Sequence, residues 1–281
     1  MSQNAIRAII PLLNFDSDSE KIVLGEGKSI LRMSYKELKE AAPEMKSGIS
    51  ALTDLLDMKY VLEVIPSTHD AMSWFEDATR YPVNLIRALR LFKKGAVYAP
   101  YKFFSHSFNL RLSVPTHGID TVSVPSVEYT PYTEAFGVPY ILNASESNEL
   151  LAFSKTVTDP NFASSIHVKK AMTRFFRSYS EKEPEDKIID YCIAFESLFC
   201  RGEGAKGIVI STEASKLLGK DNSEREQIRE YLRKAYRVRN FTIHRSIPLV
   251  DSLKKQKIND DPETFTYKVE DYLRLCIRKF S

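Results

Sequence analysis

The sequence predicts an α+β protein, with an N-terminal mixed α/β part built on a largely antiparallel sheet and a C-terminal all-helical bundle. Three observations carry this. Short runs rich in Val, Ile and Phe recur before residue 158, and Phe108-Asn109-Leu110-Arg111-Leu112-Ser113-Val114 alternates apolar and polar at period two. After residue 160 the apolar residues repeat at three- and four-residue spacing instead. Asp159-Pro160 interrupts the chain between the two regimes, because proline disfavours helical backbone in the residue before it. The expected division is 1–158 and 159–281.

The first part reads as follows. Residues 5–13 are an apolar run expected as a strand that Pro11 ends early. Residues 21–31 are a second extended stretch, folded back at Gly25-Glu26-Gly27. Ser34 and Glu37 form a capping box for a helix over 35–42, stopped by Pro43. The Val-Leu-Val-Ile content of 59–65 predicts a strand. Ser67 and Asp70 are caps for a helix through Trp74 to Thr79. Pro82 then opens a separate helix that ends at Phe92, before Gly95. Residues 96–104 look extended. Further strands are expected at 121–124 and 138–142, with turns at Pro125 and Pro131, and Pro139 marks an edge. Residues 146–156 read as a helix.

In the second part, Val168, Met172, Phe175, Phe176 and Tyr179 line one helix face, and Ile188, Cys192, Phe195 and Phe199 line the next, which Pro184 opens. A Gly-rich loop at 201–207 precedes a short helix over 212–218, ended by Gly219. A long helix follows from a capping box at Ser223 and Glu226, with Ile228, Leu232, Ala235, Tyr236 and Ile243 as its apolar stripe. Residues 246–261 read as a polar loop. The last helix, over 265–280, takes Val269, Tyr272, Leu273 and Cys276 as core.

The apolar and charged fractions are those of ordinary globular proteins. The first twenty residues carry no signal-peptide pattern and no run approaches 18 apolar residues, so no membrane and a cytoplasmic location are expected. Cys192, Cys200 and Cys276 are an odd number on predicted helices and read as buried thiols in a reducing cytosol. The scattered histidines have no zinc-ligand spacing, and no metal or cofactor is expected. Net charge is +3 but unevenly placed. Residues 161–281 hold 24 Lys and Arg against 18 Asp and Glu, a balance suited to a polyanionic partner.

The stretch 224–245 concentrates this charge, with seven basic residues against three acidic ones. It ends in Arg239-Asn240-Phe241-Thr242-Ile243-His244. Arginine supplies a planar, permanent charge matched to phosphate oxygens, and histidine moves protons near neutral pH. On a straight helix Arg239 and His244 would stand about 140° apart. Either the helix distorts near residues 241–243 or a second copy completes the site. Asn240 and Arg237 do share the face of His244, which makes Arg237 a competitor for the phosphate. Glu196 falls within the apolar face of its helix and needs a counter-charge, for which Arg239 is the natural partner. Gly202-Glu203-Gly204-Ala205-Lys206-Gly207 lacks the order of a phosphate-binding loop and follows a helix, so it is rejected as one.

Arg239-Asn240-x-x-x-His244 resembles the Arg-polar-x3-His motif of HEPN domains. Ile193-Ala194-Phe195-Glu196-Ser197-Leu198-Phe199 on one helix, followed by Ala235-Tyr236-Arg237-Val238-Arg239-Asn240 on another, resembles the Apea-like HEPN branch. The similarity covers about residues 160–281. It implies a helical bundle, a homodimer through that bundle and a metal-independent endoribonuclease cutting single-stranded or loop RNA. The role it implies is prokaryotic antiviral defence by abortive infection, or a toxin. Arg239, His244 and Asn240 are then the catalytic group, with Glu196 and Arg237 in support. Residues 1–158 resemble no family; their long segments and scattered aromatics point to a recognition domain, a sensor for a phage or cellular trigger. The alternative is a non-catalytic helical dimer that binds RNA or a protein partner.

Overall fold

The computed structural model describes residues 7–41, 55–65, 71–104, 108–114, 118–124, 127–129, 138–159, 162, 165–202 and 204–280. They form an α+β chain of two compact units, Met1–Thr158 and Asp159–Ser281. Among the described residues no helix is long and apolar enough to cross a membrane.

The first unit holds ten strands and three α-helices among its described residues: β1 (Ala8–Leu12), β2 (Phe15–Ser17), β3 (Lys21–Gly25), β4 (Lys28–Arg32), α1 (Tyr35–Ala41), β5 (Tyr60–Val64), α2 (Ala71–Phe92), β6 (Tyr101–Phe104), β7 (Phe108–Val114), β8 (Gly118–Val124), β9 (Val127–Tyr129), β10 (Tyr140–Leu142) and α3 (Ser147–Thr158). Six of the strands make one antiparallel sheet in the order β3-β4-β5-β1-β6-β9. β7 and β8 pair antiparallel as a hairpin, whereas β10 lies parallel to β2. Ala8, Ile10, Leu12, Leu62 and Val64 of the sheet share one core with Leu85, Leu89 and Phe92 of α2 and Leu150 of α3.

Two prolines behave differently from expectation. Pro11 does not end β1; it pairs with Val61 across the β1–β5 ladder. Leu13 exchanges backbone hydrogen bonds with Tyr98, so Pro11, two residues earlier, turns its missing N–H to that same side, where β1 has already parted from β6. Pro82 does not open a second helix but lies inside the continuous 22-residue α2. One lost backbone bond is outweighed there by a face that buries Ala78, Leu85, Ala88, Leu89 and Phe92. The expected capping box stands: Glu37 Oε2 accepts from the Ser34 N–H, and Ser34 Oγ accepts from the Glu37 N–H. The caps expected at Ser67 and Asp70, the stop at Pro43 and the turns at Pro125 and Pro131 lie outside the described residues. β2 and β9, of three residues each, have no run long enough to read as strands.

The second unit contains α4 (Ile166–Arg177), α5 (Pro184–Phe199), α6 (Lys206–Leu218), α7 (Asn222–Arg245), α8 (Leu249–Lys255) and α9 (Pro262–Phe280). Val168 and Phe175 of α4, Ile188, Cys192 and Phe195 of α5, and Val269, Leu273 and Cys276 of α9 are buried as expected, while Tyr272 is half-exposed. A buried carboxylate ties α9 to α5 and to the single helical turn Ser178–Ser180 that follows α4. Glu270 of α9 accepts from the hydroxyls of Tyr179 (2.7 Å) and Tyr191 (2.9 Å), and Arg274 stands 3.6 Å away. The charge is thus paired and hydrogen-bonded, the condition under which burial is tolerated.

Three expectations for this unit change. The helix expected over 212–218 begins six residues earlier, at Lys206, so the last two residues of the Gly-rich segment, Lys206 and Gly207, are helix. α7 starts at Asn222 rather than from a Ser223–Glu226 box. Asp221 is its cap, accepting from the Glu224 N–H at 2.8 Å, while Glu226 pairs with Arg229. The expected polar loop after His244 carries α8, because Leu249 and Leu253 supply a buried apolar face that the surrounding polar residues mask in the sequence.

Candidate functional site

α7 carries the candidate site, and its burial pattern explains how. Ile228, Leu232, Ala235 and Val238 are buried and hold the helix to the bundle. Tyr231 adds a clamp, with its hydroxyl donating to Asp260 (3.0 Å) and its ring against Phe265 and Tyr272. Ile243, expected in the apolar stripe, is 37% exposed because it lies beyond the last buried turn. Arg233, Arg237, Asn240 and His244 follow one another at four, three and four residues. They therefore fall within about 60° of one another, on the side of the helix away from the core. Ser246, in left-handed conformation (φ 50°), ends the helix, and its N–H returns to the Phe241 carbonyl.

Arg239 is rooted on the core side of the same helix. Its guanidinium lies 5.8 Å from the centroid of the Tyr236 ring. Nη1 donates to Asn240 Oδ1 (3.1 Å) and stands 3.4 Å from His244 Nε2. Arg239 and His244 therefore meet within one chain, and α7 is helical throughout 222–245. Of the two outcomes expected from their 140° offset, neither is needed. The long arginine side chain spans the angle, crossing Tyr236 and Asn240, which project between it and His244. Arg239 Nε is buried and finds no acceptor among the described residues.

Glu196 does not pair with Arg239. Its Oε2 accepts from Lys206 Nζ at 2.7 Å and its Oε1 from the Tyr236 hydroxyl at 2.8 Å. The reason is the early start of α6, which brings Lys206 to Glu196, while Tyr236 stands between Glu196 and Arg239 on α7. Close approach of α6 needs Gly207: a Cβ there would meet the Tyr236 ring at 2.7 Å. Burial, and then the hydrogen bond to Glu196, pushes the Tyr236 hydroxyl above its usual range, so it remains a donor. Burial pushes the neighbouring Cys192 thiol up to about 12, with Arg239 opposing and Glu196 adding to the shift, which leaves it protonated and unreactive at neutral pH. All three cysteines are free, Cys192 and Cys276 buried and Cys200 half-buried.

These groups line an open cavity of about 700 Å³. Its walls are Arg233, Tyr236, Arg237, Arg239, Asn240 and His244 from α7, Glu196 from α5, and residues 204–208 at the start of α6. Every expected site residue is therefore in one place. Lys206, Tyr236 and Arg233 are there as well and were missed. Arg233 could have been found, since it stands one turn before Arg237 on the same face. Lys206 had no such signal, because its place depends on how α6 packs. The Gly-rich segment, whose order does not match a phosphate-binding loop, contributes residues 204–207 to the wall of the cavity. Lys206, Arg233, Arg237 and Arg239 face one carboxylate, Glu196, so the cavity is strongly cationic even with His244 neutral. Among the described residues no group of three His, Cys, Asp or Glu side chains is placed to hold a metal ion.

Compared with protein-family models, with curated proteins and with solved structures, the chain matches none.

Proposed function

We propose that the second unit is a HEPN-type endoribonuclease of single-stranded or loop RNA, metal-independent and homodimeric, serving antiviral defence or acting as a toxin. The observation that supports this most is the 3.4 Å approach of Arg239 Nη1 to His244 Nε2 inside a cationic cavity. RNA carries its own nucleophile. The 2′-oxygen attacks phosphorus, the bond to the 5′-oxygen breaks, one proton leaves the 2′-hydroxyl and one reaches the 5′-oxygen. The products are a 2′,3′-cyclic phosphate and a 5′-hydroxyl. His244 transfers one of these protons, and a second His244 in the dimer supplies the other. Arg239 holds the non-bridging oxygens and stabilises the charge that builds on them. Asn240, by accepting from Arg239, keeps the guanidinium turned toward His244. Glu196 acts at one remove, through Tyr236, whose ring borders the Arg239 guanidinium. The first unit is the sensor in this scheme.

The test is incubation of the purified protein with single-stranded RNA in chelator. Cleavage to cyclic-phosphate or 3′-phosphate ends is expected, with no cleavage of DNA of the same sequence, which lacks the 2′-hydroxyl. His244→Ala and Arg239→Ala are each expected to lower the rate by about 10²–10⁴-fold with the fold intact. Products with 5′-phosphate ends, or activity abolished by chelator, would refute the mechanism. Intact RNA together with tight RNA binding would favour the non-catalytic reading.

A further inference from the structure

Arg233 and Arg237 are left over by that chemistry. Both are exposed, both line the cavity, and neither has a carboxylate within ion-pairing distance among the described residues. The other cations nearby are engaged: Lys206 with Glu196, Arg229 with Glu226 and Lys234 with Glu230. On α7 the two free guanidinium groups continue the line of His244 and Asn240 toward the start of the helix. The line from His244 to Arg233 is eleven residues, about 16 Å at 1.5 Å per residue, with Arg237 and Arg233 one turn, about 6 Å, apart. A single phosphate at Arg239 and His244 leaves both of them unused. A strand laid along the exposed face of α7 brings one further phosphate to each.

We propose that Arg237 and Arg233 form a subsite for the next two phosphates on one side of the scissile one, so that the site takes an extended single strand rather than a single nucleotide. This inference rests on the ribonuclease reading for which phosphate is cleaved, but not for the binding itself. The ligand is a single-stranded polynucleotide backbone, read through its charge and spacing. Backbone contacts position the strand without reading its sequence. Exposed guanidinium groups release counterions when a phosphate docks, so each contact adds about 0.7 to the salt slope of log affinity for a single strand.

The experiment measures binding by fluorescence anisotropy, using 2′-O-methyl oligonucleotides with one, two, three and four phosphates, which the proposed chemistry cannot cleave. The wild-type chain is compared with Arg237→Ala, Arg233→Ala and the double variant. Affinity of the wild type is expected to rise with each phosphate up to the third and then level off. Arg237→Ala is expected to erase the gain from the second phosphate and Arg233→Ala the gain from the third. Ligands with one phosphate should bind all four proteins alike. The salt slope on the three-phosphate ligand should fall by about 1.4 in the double variant. In cleavage assays the double variant should raise KM at least about tenfold on long RNA, the direction expected for lost binding. Equal affinity of wild type and double variant for the three-phosphate ligand overturns the subsite. The expected length dependence without any RNA cleavage leaves the subsite standing and removes the ribonuclease reading. Cleavage that the double variant leaves unchanged in KM removes the subsite and keeps the ribonuclease.

Discussion

Glu196→Ala takes the single carboxylate out of the cavity, and the structure says what its two partners then lose. Lys206 is 46% exposed, so its ammonium returns to water, and the pair contributes no more than about 1 kcal/mol. The Tyr236 hydroxyl is in a partly buried position and is left without its acceptor, which costs about 1–3 kcal/mol. Together the expected loss is about 1–4 kcal/mol. For a unit of about 120 residues, 1 kcal/mol moves the midpoint by roughly 4 °C, so calorimetry should show that transition about 4–16 °C lower. Glu196→Gln keeps an oxygen for the hydroxyl and should lose only about 1 kcal/mol. Adding Tyr236→Phe to Glu196→Ala removes the orphaned hydroxyl, and the double-mutant cycle should return a coupling of about 1–2 kcal/mol. Had Glu196 neutralised Arg239 instead, its loss would leave a half-buried guanidinium unpaired, at about 3–5 kcal/mol. A Glu196→Ala transition within about one degree of the wild type, or a cycle with no coupling between positions 196 and 236, would refute the assignment of partners.

Three further outcomes are expected. Gly207→Ala should cost about 1–3 kcal/mol in denaturant unfolding and slow RNA cleavage, because the new Cβ and the Tyr236 ring cannot both keep their places; wild-type stability would show that α6 yields freely. Gly27→Ala should unfold the first unit or lower its stability severely, since Gly27 has φ +65° and an added Cβ would stand 1.9 Å from the Ile65 carbonyl oxygen; unchanged protease resistance of that unit would contradict this. Light scattering at tens of micromolar protein should report a dimer, in which two copies of Arg239 and His244 share one cleft. A monomer at that concentration would count against the dimer.

Much of this protein was legible in the sequence because the information was local. The α+β class follows from a change of apolar period, from two in Phe108–Val114 to three and four in α4 and α5. The caps at Ser34 and Glu37, and the set Arg237, Asn240 and His244 on one face of α7, are consequences of residues a turn apart. What sequence spacing could not decide was anything that depended on a distant segment. Pro11 stays in β1 because of where β6 parts from it, and Pro82 stays in α2 because of the core beneath that helix. Arg239 belongs on the core side of α7 by its position in the helix, and only packing shows that its guanidinium crosses Tyr236 to His244 rather than meeting Glu196. Lys206 reaches Glu196 because α6 starts early and because Gly207 lets it lie against a tyrosine 29 residues further on. Periodicity reports which face of an element is apolar. The partner of a charge is set by which other element arrives at that face, and that is a property of the packed chain.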